Sequence, residues 1–305
     1  MIEDNDKEYW VWFSLINNLG LKRKKILIDK YRTPKRIYEL KKFELIQNKG
    51  IGDKIIKEIL NEETREKAKQ HYMYMEKNNM DIINITDKDY PNGLKEIYDP
   101  PISIYIKGNI EALNNIGIAI VGCRNASEYG KKAAKYFAYN LTKEGYNIIS
   151  GLAKGIDSFS HIGNIHAINE NNINRNIRDI GKTIAVIGSG LDEIYPKENT
   201  KLFEEIIKSG GIIISEYPLG TKPFKMNFPA RNRIISGLAK GIIVVEAKEK
   251  SGTLITVDFA LEQGKDVYVV PGNIDEINSI GTNNLIKQGA AIVTNYRDVL
   301  NNIKY

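Results

Sequence analysis

The sequence predicts an α/β protein: a Rossmann-like parallel sheet preceded by a small all-helical segment. Three observations carry this. Short, nearly continuous β-branched runs occur at 117–121, 146–149, 183–187, 212–214, 242–245, 267–270 and 291–293, the composition of strands buried on both faces. Helical stretches separate them, and strand–helix alternation implies right-handed βαβ crossovers. Most runs close on glycine or a small polar residue, as βα turns require.

Ahead of the sheet, residues 1–80 read as helices at 9–19, 22–30 and 34–40, with one long helix at 53–77. Between 45 and 56 a Gly50-Ile51-Gly52 turn separates two apolar-periodic stretches. That is helix-hairpin-helix spacing, in which amides opening the second helix can hold a phosphate; plain helix packing produces the same spacing. Residues 81–112 are extended and turn-rich, with Tyr90-Pro91, Pro100-Pro101 and a short alternating strand at 102–106. The polar, asparagine-rich segment 169–179 reads as a surface insertion before the third parallel strand.

With 305 residues, the chain has room for about two domains of ~150 residues, and we expect a division into 1–80 and 81–305. A composition 42% hydrophobic and 27% charged excludes disordered and fibrous classes. No apolar run approaches the ~20 residues of a membrane helix, and the acidic N-terminus resembles no targeting signal, so a cytoplasmic protein without a membrane partner is expected. Cys123 has no second cysteine to pair with. Together with His71, His161 and His166 it makes no ordinary zinc set, so no metal or cofactor is expected.

The net charge of +6 is unevenly spread. Residues 1–80 carry 18 basic against 13 acidic side chains, and 81–305 carry 26 against 25. Binding of a polyanion by the larger part must therefore rest on clustering. Such a cluster lies between Glu216 and Glu246: 29 residues hold Lys222, Lys225, Arg231, Arg233 and Lys240 and no acid, interleaved with Tyr217, Phe224 and Phe228. A solvated face needs the charges but not the aromatics.

Ligands of open parallel sheets bind beyond the carboxyl ends of the strands. There the sequence places Gly122-Cys123-Arg124-Asn125, Gly151 to Gly155 with Lys154, Gly188-Ser189-Gly190, Ser215 to Pro218, and Pro271-Gly272-Asn273. Small residues admit backbone amides close to an anion, and Arg124 and Lys154 add charge. This is a candidate phosphate-binding edge, although tight turns alone also demand glycine. Other signatures fail. Gly181-Lys182-Thr183 precedes its strand and lacks the leading glycine of a phosphate-binding loop, and Gly188-Ser189-Gly190 lacks the third glycine of a dinucleotide fingerprint. No serine nucleophile elbow is present, so no catalytic residue is assigned.

The strings IAIVGCR (118–124), SGLAKGID (150–157), GKTIAVIGSGLDEIYP (181–196), SEYPLGTKPFKMNFPARNRIISGLAKG (215–241) and ALEQGKDVYVVPGN (260–273) are similar to the DNA processing protein A (DprA/Smf) family. Tyr90-Pro91 and Asp99-Pro100-Pro101 extend the resemblance. It implies an extended Rossmann-like domain behind a SAM-like or helix-hairpin-helix N-terminal region. It further implies a non-enzymatic homodimer that binds single-stranded DNA and helps load the RecA recombinase during natural transformation. The family's Gly-Ser-Arg is Gly122-Cys123-Arg124 here, which removes a hydroxyl, and the C-terminal winged helix of some relatives is not expected.

On this reading phosphates sit on Arg124, the amides of Gly122 and Gly151, Lys154, Lys225, Arg231 and Arg233, while Phe228 stacks on a base. Phe228 could equally pack in the core beside Pro229. Asn232 could read a base edge or cap a helix beginning near Arg233. The alternative function is a nucleotide phosphoribohydrolase of the lysine-decarboxylase-like Rossmann group. The comparable stretch, 250–256, lacks that group's double glycine and following glutamate. The tail 278–293 is a candidate dimer surface by resemblance.

Overall fold

The computed structural model describes residues 6–171 and 180–303. Six helices come first: α1 (Lys7–Leu15), α2 (Leu21–Tyr31), α3 (Pro34–Tyr38), α4 (Lys42–Ile46), α5 (Asp53–Ile59) and α6 (Glu62–Lys77). The glycine turn joins α4 to α5, with Gly50 at φ +82°, where a side chain would be strained. One continuous helix over 53–77 is not formed. It breaks after Ile59 because the Asn61 side chain accepts from the amides of Glu63 (2.7 Å) and Thr64 (3.1 Å), capping a new helix.

Next come β1 (Met80–Asn84), α7 (Asn92–Lys95), β2 (Ser103–Gly108) and β3 (Gly117–Val121), then α8 (Glu128–Lys143), β4 (Asn147–Ser150), α9 (Ile156–Asn171) and β5 (Thr183–Ile187). The chain continues through α10 (Thr200–Lys208), β6 (Ile212–Ser215), α11 (Asn227–Leu238), β7 (Gly241–Val244) and α12 (Gly252–Glu262). It closes with β8 (Asp266–Val269), α13 (Ile280–Lys287), β9 (Ala291–Ile292) and α14 (Tyr296–Asn302). Of the segment read as an insertion, 172–179 lies outside the described residues, and α9 runs to its edge.

Among the described residues nine strands form one sheet in the order β1-β2-β6-β5-β4-β3-β7-β8-β9. The seven strands β3 to β9 pair in parallel, whereas β2 runs antiparallel to both β1 and β6. β1 was not expected as a strand: its five residues become one by pairing with β2, Ile82 opposite Tyr105. From the central β3 the chain winds outward through β4, β5 and β6, then returns to build β7, β8 and β9 on the other side. That reversal opens a crevice at the carboxyl ends of β3 and β7.

One apolar cluster joins the N-terminal helices to a face of the sheet, with Trp10, Trp12 and Phe13 sharing it with Tyr105, Leu152 and Ile213. Polar links fix that contact: Ser14 Oγ shares a short hydrogen bond with Tyr105 Oη, and Lys7 pairs with Asp81 at 2.8 Å. Among the described residues no helix is long and apolar enough to cross a membrane.

Candidate nucleic-acid interface

A cleft of about 660 Å³ opens at the crevice, with Gly122, Arg124, Lys225, Phe228, Arg231 and Asn232 in its lining. A smaller cavity of about 50 Å³ adjoins it, shared by Arg124, Gly151, Lys154 and Phe228. Eight of the nine sequence candidates thus converge, brought in by the βα turns after β3 and β4, by the loop that holds Lys225 and by the first half of α11.

Phe228 occupies the first turn of α11 and is half-buried. The exposed Arg124 guanidinium lies 5.4 Å from its ring centroid, and Tyr195 packs on it at 5.6 Å with planes 47° apart. Gly188 backs the ring: a side-chain carbon there would come within 3.1 Å of Phe228 Cδ1. Phe228 is therefore a platform at the mouth of the cleft rather than a core residue. Phe224 (57% exposed) and Met226 (77%) continue apolar surface beside Lys225.

The glycines admit close packing. A side-chain carbon at Gly122 would lie 2.6 Å from Ile156, and one at Gly151 would lie 2.5 Å from Arg231 Nη1 and 2.6 Å from Asp157 Oδ2. The amides of Gly122, Arg124 and Gly151 donate to no other group among the described residues. The N-termini of α11 and α12 also border the cleft, with Phe228 in the first turn of one and Ser251 at the N-cap position of the other, where its side chain makes no capping bond. Ser251 Oγ is buried with no hydrogen-bond partner among the described residues.

Two expected phosphate ligands, Arg231 and Arg233, are engaged by groups of the protein itself. Arg233 is turned away from the cleft into the boundary with the N-terminal helices. Its Nη1 and Nη2 donate to Glu216 at 2.8 and 2.6 Å, and its Nε donates to the Asp99 carbonyl at 3.1 Å. Arg231 reaches the cleft floor, 4% exposed, but Nη1 donates to the carbonyls of Gly151 (2.6 Å) and Val186. Burial lowers its pKa to about 10 despite the nearby Asp157, whose own carboxyl is raised by the same burial. Both arginines satisfy carbonyls and carboxylates of the fold, which holds α11 in place.

Lys154 stands at the outer edge, paired with Glu198 at 2.5 Å. Asn232 caps nothing, because α11 starts at Asn227. Its Oδ1 accepts from Arg231 Nε (3.1 Å) and its Nδ2 donates to the Gly252 carbonyl (3.4 Å), tying α11 to α12. Cys123 is 6% exposed and its thiol pKa is raised by burial, so the missing hydroxyl lies below the surface of the cleft.

Lys248, Ser251, Thr253 and Tyr195 also line the cleft and were not among the candidates. Lys248 and the start of α12 follow the inner parallel strand β7, so the same carboxyl-end rule applies to them. Tyr195 lies eight residues beyond β5 and carried no such signal.

The carboxylates near the cleft are engaged by the fold. Asp157 faces Arg231, and the buried Glu246 accepts from the Ser127 amide at 3.0 Å and from its hydroxyl. The 250–256 stretch forms the start of α12 and contributes serine and threonine to the wall, not a carboxylate. The arrangement suits an anionic chain with planar groups: cations, backbone amides and two helix N-termini beside an aromatic pair.

Comparison with known proteins agrees in kind. The family described as DNA recombination-mediator protein A matches residues 81–304. DNA processing protein DprA of Streptococcus pneumoniae is 44% identical over 218 residues, 72% of either chain. The X-ray structure of DNA processing protein A from that species superposes with a TM-score of 0.75 at 34% identity, covering 98% of each chain. DNA processing protein A of Helicobacter pylori, whose structure was described for its single-stranded DNA binding mode, gives a TM-score of 0.61 at 30% identity. That alignment covers 72% of this chain and 94% of the other.

Proposed function

The chain belongs to the DNA recombination-mediator protein A family, and on that premise we propose that it binds single-stranded DNA in the cleft without catalysis. We further propose that it acts as a cytoplasmic homodimer helping to load RecA onto incoming strands in natural transformation. Arg124 and Lys225, joined by Lys248, take phosphates, and the Gly122 and Gly151 amides add neutral donors. Lys154 exchanges Glu198 for a phosphate at the outer edge. Phe228 and Tyr195 receive bases. Arg231, Arg233 and Asn232 position α11 and touch no DNA.

The observation that carries this reading is the Arg124–Phe228 pair, an exposed guanidinium beside an aromatic platform at the lip of the cleft. Single strands are bound by such combinations of backbone-tracking cations and sequence-tolerant stacking. The test is binding of oligo-dT and of duplex across a salt series. Arg124→Ala and Lys225→Ala should each weaken single-strand binding and flatten the log-affinity against log-salt slope by about 0.7. Parent-like binding by both variants at matched salt overturns the proposal.

A further inference from the structure

A basic, exposed helix face lies outside the cleft lining. On α8, Lys131, Lys132 and Lys135 fall within two turns, alongside Tyr129 (52% exposed) and Tyr136 (42%). The Lys131 and Lys135 ammonium groups both approach the Phe159 ring of α9, at 5.6 and 4.9 Å from its centroid. Lys131 also pairs with Glu128 at 2.6 Å, whereas Lys132 and Lys135 form no ion pair among the described residues. With Glu128 offsetting one of the three charges the ridge stays net positive, and an anionic chain laid over it relieves the remaining repulsion.

The ridge continues the lip of the cleft. Ser127 caps α8 three residues after Arg124, and the Lys131 amide donates to the Ser127 carbonyl, so this lysine lies one turn beyond that cap. Phe159 is equally near. Its amide donates to the Gly155 carbonyl, and Gly155 is packed so closely on Arg124 that a side-chain carbon would lie 2.4 Å from the Arg124 carbonyl oxygen.

We propose that the α8–α9 ridge of Lys131, Lys132, Lys135 and Phe159 is a second nucleic-acid contact, carrying the same single strand onward from the Arg124 end of the cleft. The inference rests on the cleft being a single-strand site, and the test separates the two. A dT oligonucleotide of about 5 nucleotides, filling the cleft alone, is compared with one of about 25. The Lys132→Gln/Lys135→Gln double variant should bind the short strand like the parent. On the long strand its log-affinity against log-salt slope should fall by about 1.4, about 0.7 per lost phosphate contact, and Lys→Arg at both positions should restore it.

An unchanged slope on the long strand overturns the ridge, as does equal weakening at both lengths, which reports general charge rather than contact. Loss of recombinase binding with DNA binding intact also overturns it and assigns the ridge to a protein. If Arg124→Ala alters neither length, the cleft reading fails whatever the ridge does.

Discussion

Arg124 and Arg233 carry the same charge in the same fold, and removing each should produce opposite phenotypes. Arg233 is 10% exposed and Glu216 14%, joined by bonds of 2.8 and 2.6 Å. Arg233→Ala strands that carboxylate in a low-dielectric site and frees the Asp99 carbonyl. Breaking one side of a buried pair costs about 3–5 kcal/mol, a large part of a typical 5–15 kcal/mol of stability. Arg124 is exposed, and its removal should change stability by no more than about 0.5 kcal/mol. Urea denaturation followed by circular dichroism measures the first effect, and oligo-dT anisotropy at conditions where each variant stays folded measures the second. Arg233→Ala should shift the urea midpoint strongly and leave the intrinsic affinity of folded protein near that of the parent. An Arg233→Ala protein with parental stability but lost DNA binding would refute the assignment.

Phe228→Leu keeps apolar bulk but removes the stacking face. It should weaken single-strand binding by about 1–3 kcal/mol per stacked base with a near-unchanged salt slope, and an unaltered affinity for oligo-dT would remove Phe228 from the site. His161 gives a pH dependence of stability. It is fully buried between α9 and β5, its Nδ1 is 2.5 Å from Thr183 Oγ1, and burial pushes its pKa down to about 3. The unfolded chain takes up a proton near pH ~6.5 that the native state refuses, so this contribution is fully present above that pH. It is lost as pH falls toward the native value, at up to about 1.4 kcal/mol per pH unit. Urea midpoints at pH 7 and pH 5 should separate more for the parent than for His161→Gln; identical separations would exclude His161 as the source.

The parallel strands and the neighbourhood of the cleft were legible because their signals are local. A run such as Ile118 to Val121, apolar throughout, is stable only where both faces are covered, and a glycine after it turns the chain into a helix. Applying the carboxyl-end rule to those runs placed Gly122, Arg124, Gly151 and Lys154 at one edge. The break before α6 was in principle legible too, since Asn61 is a strong cap that competes with helix propagation.

What the sequence by itself determined is the set of groups present: cations without acids between 217 and 245, aromatics among them, glycines at the turns. Tertiary structure alone decided which cations are free. Arg231 and Arg233 lie in the same short string as Phe228, yet successive helical positions rotate by about 100°, so one faces the cleft mouth, one its floor and one Glu216. A buried guanidinium must be satisfied by carbonyls or carboxylates, and those partners, Gly151 and Val186 for Arg231 and Asp99 and Glu216 for Arg233, come from distant strands and turns. Composition supplies the charges, and burial determines which of them remain available to a ligand.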